Sequence, residues 1–436
     1  MKSLYLFTRD LRVDDNRGLW EACARGDKIV PVYVLDLEQL GDRGVHPGDP
    51  RFTFILQALE RVSQYTRLRV LTGRFDAVMD YLLGKYRFER VYVSYPHTEV
   101  DRERIQRLEE ICEGHGVKLS VIWDNVLVDY TKIGETRQFT SFYNKWKKLV
   151  DDTVVETPPR EKFTEIDEPG LGEVIEKNKW RVETGASWSI AYLAKRLLEF
   201  DFSKYATTKD YPGTDGTSRL SPYISHGIVS VRTVYHKAKS ASEEFVRQLA
   251  WREYYYYLMH KYPWMRSLEL KPFMRNLDWN RDSELFKAFI EGRTGYPIID
   301  AGIRQLKKEN WMHNRMRLIV ANFLVKDLHI DWRQGEEFFK KFLIDYDEAI
   351  NVGNWQWAAS AGVDPLPIRV FNPILQSAKY DPDCTFIKRH VPELEGFKCE
   401  ELHNPLKHRL KGYFEPIVDH YVAVEEFKAK VFNRRS

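Results

Sequence analysis

Apolar and polar positions change rhythm twice along the 436-residue chain. In the first part, short β-branched runs at residues 4–7, 29–35, 68–71, 90–95 and 118–123 read as strands. The stretches 52–65, 75–86 and 102–112 between them carry apolar residues at three and four spacing. Strands that alternate with amphipathic helices, with almost no hairpin signal, predict a doubly wound, parallel, Rossmann-like α/β domain over residues 1–128. The rhythm then lapses: residues 129–186 hold Pro158-Pro159, Pro169-Gly170 and several charge clusters, the composition of an interdomain linker. From 187 to 436 the three-and-four spacing returns at 191–200, 245–260, 285–290, 297–306, 316–328 and 338–344 without a comparable strand run, which predicts an all-α domain. Neither part repeats at a fixed period.

Composition narrows the class. With 43% hydrophobic and 30% charged residues the chain can build a large core and is not extensively disordered. Its 67 basic and 64 acidic side chains leave a net charge of +3, so it is not a polycationic binder and any nucleic-acid surface must be local. Cys23, Cys112, Cys384 and Cys399 show no CxxC spacing and no His completing a zinc pattern, which reads as reduced thiols, no metal and a cytoplasmic location. Arg9 and Asp10 interrupt the start before a signal region forms, and no apolar run approaches the roughly 18 residues of a membrane helix, so a soluble, unexported protein is expected. The 12 Trp, 24 Tyr and 24 Phe suit stacking on flat ligands and suit an aromatic core equally well.

Three constellations could carry chemistry. The first strand runs into Thr8-Arg9-Asp10-Leu11-Arg12 and not into a GxGxxG turn, which argues against a standard NAD site. Gly216-Thr217-Ser218-Arg219-Leu220-Ser221-Pro222 sets hydroxyls and a cation before a helix, with Ser221 as the expected N-cap and Pro222 first in the helix. That is a phosphate-binding corner or simply a capped helix. Asp345-Tyr346-Asp347 offers alternate carboxylates that could hold a divalent ion, as in nucleotide-sugar transferases, accept from an uncharged ligand, or pair with Arg315 or Arg317. Rings at Trp251, Trp279, Trp311, Trp332, Trp355 and Trp357, interleaved with arginines, suit single-stranded or extruded nucleotides, or packing. No Ser-His-Asp set can be assembled.

Together these segments resemble the DNA photolyase and cryptochrome family, most closely its class I cyclobutane-dimer enzymes. Gly216 to Ser221, Trp251-Arg252-Glu253, Gly295-Tyr296-Pro297, Trp311 to Arg317, Asp331-Trp332-Arg333 and Asn354 to Ser360 follow the family's order and spacing, and Arg9-Asp10-Leu11-Arg12 resembles the start of its N-terminal lobe. The resemblance implies FAD folded into a U-shape in the helical lobe. Tyr205, Thr217, Ser218, Arg219, Leu220 and Ser221 would hold the diphosphate and its surroundings. Asp345, Tyr346 and Asp347 would face the ribityl and adenine side or the flavin edge, Arg317 would pair with Asp345, and Trp311 and Asn314 would line the cavity. Asn351 would sit near flavin N5, where a neutral amide imposes no fixed charge. Trp355, Trp332 and Trp279 resemble the relay that photoreduces the flavin.

The implied reaction is the splitting of a cyclobutane pyrimidine dimer in ultraviolet-damaged DNA by an electron lent from photoexcited reduced FAD, after the dimer leaves the duplex. Trp251 and Trp357 would wall the lesion pocket, and Lys209, Arg252, Arg315 and Gln376 resemble DNA-contact positions. Gln248 departs from the Glu that these enzymes usually carry and so bears on lesion choice. Asn314 and Leu318 stand where six-four enzymes have a histidine pair. A second, antenna chromophore beside Arg51 and residues 98–104 is expected to be a deazaflavin or a flavin, because Asp101-Arg102 does not match the Asn-Glu pair of folate-binding relatives. A monomer needing no protein partner is expected. The runner-up is a cryptochrome-type blue-light receptor, against which the short stretch after Phe432 weighs; a metal-dependent sugar transferase and plain single-strand binding are further alternatives.

Overall fold

The computed structural model describes residues 2–26, 28–180 and 188–433. Five strands, β1 (Lys2–Phe7), β2 (Lys28–Leu35), β3 (Arg69–Thr72), β4 (Arg90–Ser94) and β5 (Lys118–Ile122), pair in parallel in the order β3-β2-β1-β4-β5. Leu4, Leu6, Val30, Val32, Val91 and Val93 form one core with Val78, Met79 and Leu82 of the Phe75–Lys85 helix. Burial on both faces is why these strands are continuous apolar runs. The winding reverses at β1, so the crevice beyond the carboxyl ends of β1 and β4 is the sheet's switch point.

The supposed linker is more structured than its composition suggests. It contains the Phe139–Leu149 and Leu171–Asn178 helices. In the first of these Phe139, Phe142, Tyr143 and Trp146 make a buried stripe that the surrounding lysines mask in a reading of polarity. The end of the expected linker, 181–186, and residue 187, where the helical part was expected to begin, lie outside the described residues.

Compact units do not follow chain order. One extends to Ser203 and takes in Ser218–Lys261; the other comprises Lys204–Thr217 and the chain from Tyr262 onward. Sequence periodicity groups 218–261 with the helical part, whereas buried charge ties it to the sheet. Arg232 donates to Asp15 Oδ2 (2.8 Å) and Asp124 Oδ1 (2.7 Å), and Arg12 to Asp124 Oδ2 (2.5 Å), all side chains at most 5% exposed. Burial alone would raise Asp124, but the two guanidinium groups bring it down to about 2. The Arg12 motif thus works as a clamp within this unit.

The second unit is helical, with Pro297–Glu309, Asn314–Lys326, Trp332–Phe342 and Glu348–Ala358 packed in succession. Trp332–Phe342 starts six residues before the expected 338–344, because Asp331 caps it by accepting from Arg333 N (3.0 Å) and its polar first turns hide the periodicity. Among the described residues no helix is long and apolar enough to cross a membrane.

Candidate functional site

In the helical unit, Asn314–Lys326, Trp332–Phe342 and Glu348–Ala358 line a recess. Leu318, Ala321, Ile350 and Ala358 give it apolar walls; Asn314, Arg317, Asp345, Tyr346, Asp347, Asn351 and Asn354 give it polar edges. Arg317 donates through Nη2 to Asp345 Oδ2 (2.7 Å) and through Nε to Met312 O (2.9 Å), which fixes its plane. Asp347 caps the Glu348–Ala358 helix by accepting from Ile350 N (3.3 Å). Asn351 Nδ2 donates to Glu336 Oε1 (3.0 Å), which also accepts from the Tyr346 hydroxyl (3.0 Å). Burial raises Glu336 above its ordinary value while these two donors hold it down. Glu336 escaped the sequence reading, since nothing in the polar run after Trp332 distinguishes it from a surface glutamate. Trp311 is buried edge-on to His313 and is not among the residues lining the recess.

Trp355 closes one side of the recess, buried, with its Nε1 lacking a hydrogen-bond partner among the described residues. Its indole lies where a Cβ on Gly335 would fall, so the glycine is what lets the two helices approach. Trp332 stands one turn before Gly335, fully buried, donating from Nε1 to Glu269 Oε1 (3.2 Å). Asn280 donates its amide to His329 O (2.8 Å) and its side chain to Leu328 O (3.1 Å), which seats the half-exposed Trp279 beside the start of that helix. Of the three expected relay tryptophans, Trp355 and Trp332 are buried, and Trp279 is partly exposed and tilted against Phe427 (6.5 Å).

The remaining expected site residues divide between the units. In the helical unit Tyr205 opens a short helix, and the loop returns so closely that a Cβ on Gly216 would fall on the Thr208 carbonyl; Thr208 Oγ1 donates to Gly216 O (3.0 Å). Thr217 follows that glycine. Arg315 reaches Asp210 (2.7 Å) and lies 4.2 Å from the Tyr380 ring centre, Lys209 reaches Asp210 at 3.4 Å, Trp357 carries Arg369 on its face, and Gln376 is half-buried.

In the sheet-bearing unit Ser218 is buried, Arg219 is left-handed (φ 53°), and Leu220, not Ser221, occupies the N-cap of Ser221–Ser225. The expected Ser221 cap is thus corrected: Leu220 has helical dihedrals, so the helix starts a residue early with Pro222 second. Trp251 stacks on Phe139 (3.7 Å, 6°), and Gln248 Nε2 donates to Glu244 (3.3 Å). Arg252 turns inward to Asn125 O (2.8 Å) and the Tyr256 ring. Glu253 accepts from Leu127 N, Val128 N and Trp146 Nε1 at 2.6–3.1 Å, a role the sequence did not disclose.

A second recess lies at the sheet's switch point, lined by Thr8, Arg9, Ser94, His97, Asp101 and Arg104 among others. Thr98 to Arg104 are the cap and first turns of the Glu99–Gly114 helix and not a free loop. Arg51 is buried against Asp49 and Gly44 O and does not line this recess.

A 3-2-1-4-5 parallel sheet in one unit, and in the other a recess that holds the Arg317–Asp345 pair and is bounded by Trp355, point to the photolyase and cryptochrome class. Residues 3–162 match the family model of DNA photolyase, and residues 245–433 that of the FAD binding domain of DNA photolyase. A deoxyribodipyrimidine photo-lyase from a Synechococcus species is 32% identical over 98% of this chain and 95% of its own length. The archaeal photolyase from Sulfolobus tokodaii, solved with two FAD molecules, superposes with a TM-score of 0.90 at 33% identity, covering 99% of this chain and all of that one. A Synechocystis cryptochrome gives 0.83 at 25%, covering 98% and 99%. The chain belongs to the DNA photolyase family and carries its FAD-binding domain.

Proposed function

We propose that this protein is a deoxyribodipyrimidine photo-lyase that repairs cyclobutane pyrimidine dimers in ultraviolet-damaged DNA under light. The observation that carries the reading is the recess of the helical unit. Its apolar walls with amide, guanidinium and carboxylate edges match a planar, hydrogen-bonding heterocycle, and the buried Trp355 Nε1 has no acceptor among the described residues. Bound FAD would supply one-electron chemistry driven by light.

In this reading Arg317, held by Asp345 and Met312 O, orients the ring, with Asn314, Tyr346 and Asp347 along its edges. Asn351 presents an amide whose plane is set by Glu336. Tyr205 and Thr217 serve the diphosphate, and Trp311 supports the cavity from His313's side. Trp279, Trp332 and Trp355 pass electrons inward without moving atoms. Trp357 offers its face to the extruded bases, and Lys209, Arg315 and Gln376 contact the strand. Arg252 acts by holding residue 125. Functionally, residues 1–128 serve as the antenna domain, 129–186 as connection and 187–436 as the FAD-binding domain. The switch-point recess, with Arg9, Asp101 and Arg104, is the antenna pocket, and a flavin is the chromophore favoured by the two-FAD relative.

One observation favours a second reading as a blue-light receptor: Gln248 lacks the acid that repair enzymes of this type usually carry, and a cryptochrome shares the fold. The test is to purify the protein, record its visible spectrum and illuminate it with irradiated oligothymidylate. Repair expects yellow protein and restored thymines; yellow protein without restored thymines selects the receptor; colourless protein that cannot take up FAD overturns both.

A further inference from the structure

Cys384 and Cys399 are fifteen residues apart and His403 lies a helical turn beyond the second, yet the fold gathers all three. Their donor atoms lie within 4.8 Å of one another. Cys399 and His403 share one face of the Cys399–His403 helix at i, i+4 spacing, and Cys384 enters from the turn before Thr385–His390. Cys384 is fully buried and holds a left-handed backbone (φ 52°), which non-glycine residues adopt only where the surroundings enforce it.

One of the three donor pairs has the spacing of a coordination polyhedron. Zn–S of about 2.3 Å and Zn–N of about 2.0–2.1 Å at a tetrahedral angle separate the two donors by about 3.5 Å; Cys384 Sγ lies 3.6 Å from His403 Nε2. The other ring nitrogen, Nδ1, is 2.7 Å from the hydroxyl of Ser377, itself buried. A partner on the second nitrogen is how metal-binding histidines are oriented. The nearest competitor for Nε2 is Pro382 O at 3.4 Å, a long contact that yields readily. Two thiols and an imidazole suit a thiophilic cation and leave a fourth position for water.

We propose that Cys384, Cys399 and His403 form a Cys₂His site for Zn²⁺, lying apart from the residues that line the recess. The bound ion ties the Cys399–His403 helix to the turn before Thr385–His390, with Ser377 of the Pro373–Tyr380 helix as a positioning residue. Binding displaces the ligands' protons to solvent and involves no redox change.

The test uses the full-length, FAD-loaded protein, stripped with a chelator, dialysed against Zn²⁺ and desalted. Elemental analysis is expected to find one zinc per chain, and X-ray absorption two sulfur and two nitrogen or oxygen scatterers, the imidazole and the water. Cys399→Ser and His403→Gln should each weaken retention by more than about tenfold, Ser377→Ala by about tenfold, and Cys23→Ser not at all. Flavin absorbance reports folding in every variant; if Cys399→Ser fails to fold, His403→Gln and the wild-type scatterers still decide. No stoichiometric zinc, zinc unchanged in His403→Gln, or a Cys384–Cys399 disulfide in the unreduced protein would each overturn the site.

Discussion

Trp355 owes its place to the side chain that residue 335 lacks. Any Cβ there would collide with the indole, so Gly335 sets how deeply Trp355 seats between Trp332–Phe342 and Glu348–Ala358, and Phe339 meets it edge-on (4.9 Å). Its buried N–H meets no acceptor among the described residues. Trp355→Phe removes a donor whose unmet burial costs about 1–3 kcal/mol and gives back a similar amount in lost ring contacts, so stability should change by no more than about 1 kcal/mol. FAD should remain bound while photoreduction is lost, because phenylalanine is far harder to oxidise than an indole. Blue-light bleaching of the oxidised flavin with an external reductant measures this; unchanged rapid reduction would remove Trp355 from the relay.

At the scale of elements, Glu243–Lys261 is fastened by one buried carboxyl. Burial pushes Glu253 up to about 7, although three donors favour its charged form and partly oppose the shift. With an unfolded value near 4.5, the folded chain binds one more proton than the unfolded chain between those limits, so this group's contribution to stability is full below about 4.5 and declines as pH rises through about 7. The loss amounts to a few kcal/mol. Glu253→Gln should flatten that decline while costing about 1–3 kcal/mol overall, because its amide cannot accept from every donor the carboxylate serves. Denaturant melts of both proteins at pH 5 and 7.5 give the comparison; parallel slopes would show that Glu253 does not titrate there. The strands were legible because sheets covered on both faces leave short unbroken apolar runs, and most helices because one face is apolar. The Phe139–Leu149 helix was not, since lysines interrupt its aromatic stripe. Sequence offered Arg315 and Arg317 equally as partners for Asp345. Roughly 200° of helical rotation separates them, so only one can face it, and Arg315 goes to Asp210 instead. Glu336 and Glu253 stayed hidden because their partners lie on other elements, at separations no local pattern encodes; of the Cys384 cluster only the Cys399–His403 spacing is local, and Cys384 joins it from another segment.

For the whole molecule, charge is nearly balanced at +3, so affinity for DNA must come from a few local cations. Lys209 and Arg315, both partly buried, are candidates in the helical unit, and both lean on Asp210, whose carboxyl they hold below its ordinary range against the opposing effect of burial. A phosphate approaching this trio meets two cations already shared with one anion, which keeps general affinity low. Arg315→Ala should weaken binding to intact and irradiated duplexes alike and lower the slope of log K against log salt by about 1. Asp210→Asn should strengthen both. The preference for damaged over intact DNA, arising from uncharged contacts between an extruded dimer and rings such as Trp357, should stay flat as salt rises. Titrations of labelled duplexes across a salt series separate the two contributions: a damage preference that collapses with salt would mean phosphates, and not the lesion pocket, do the discriminating.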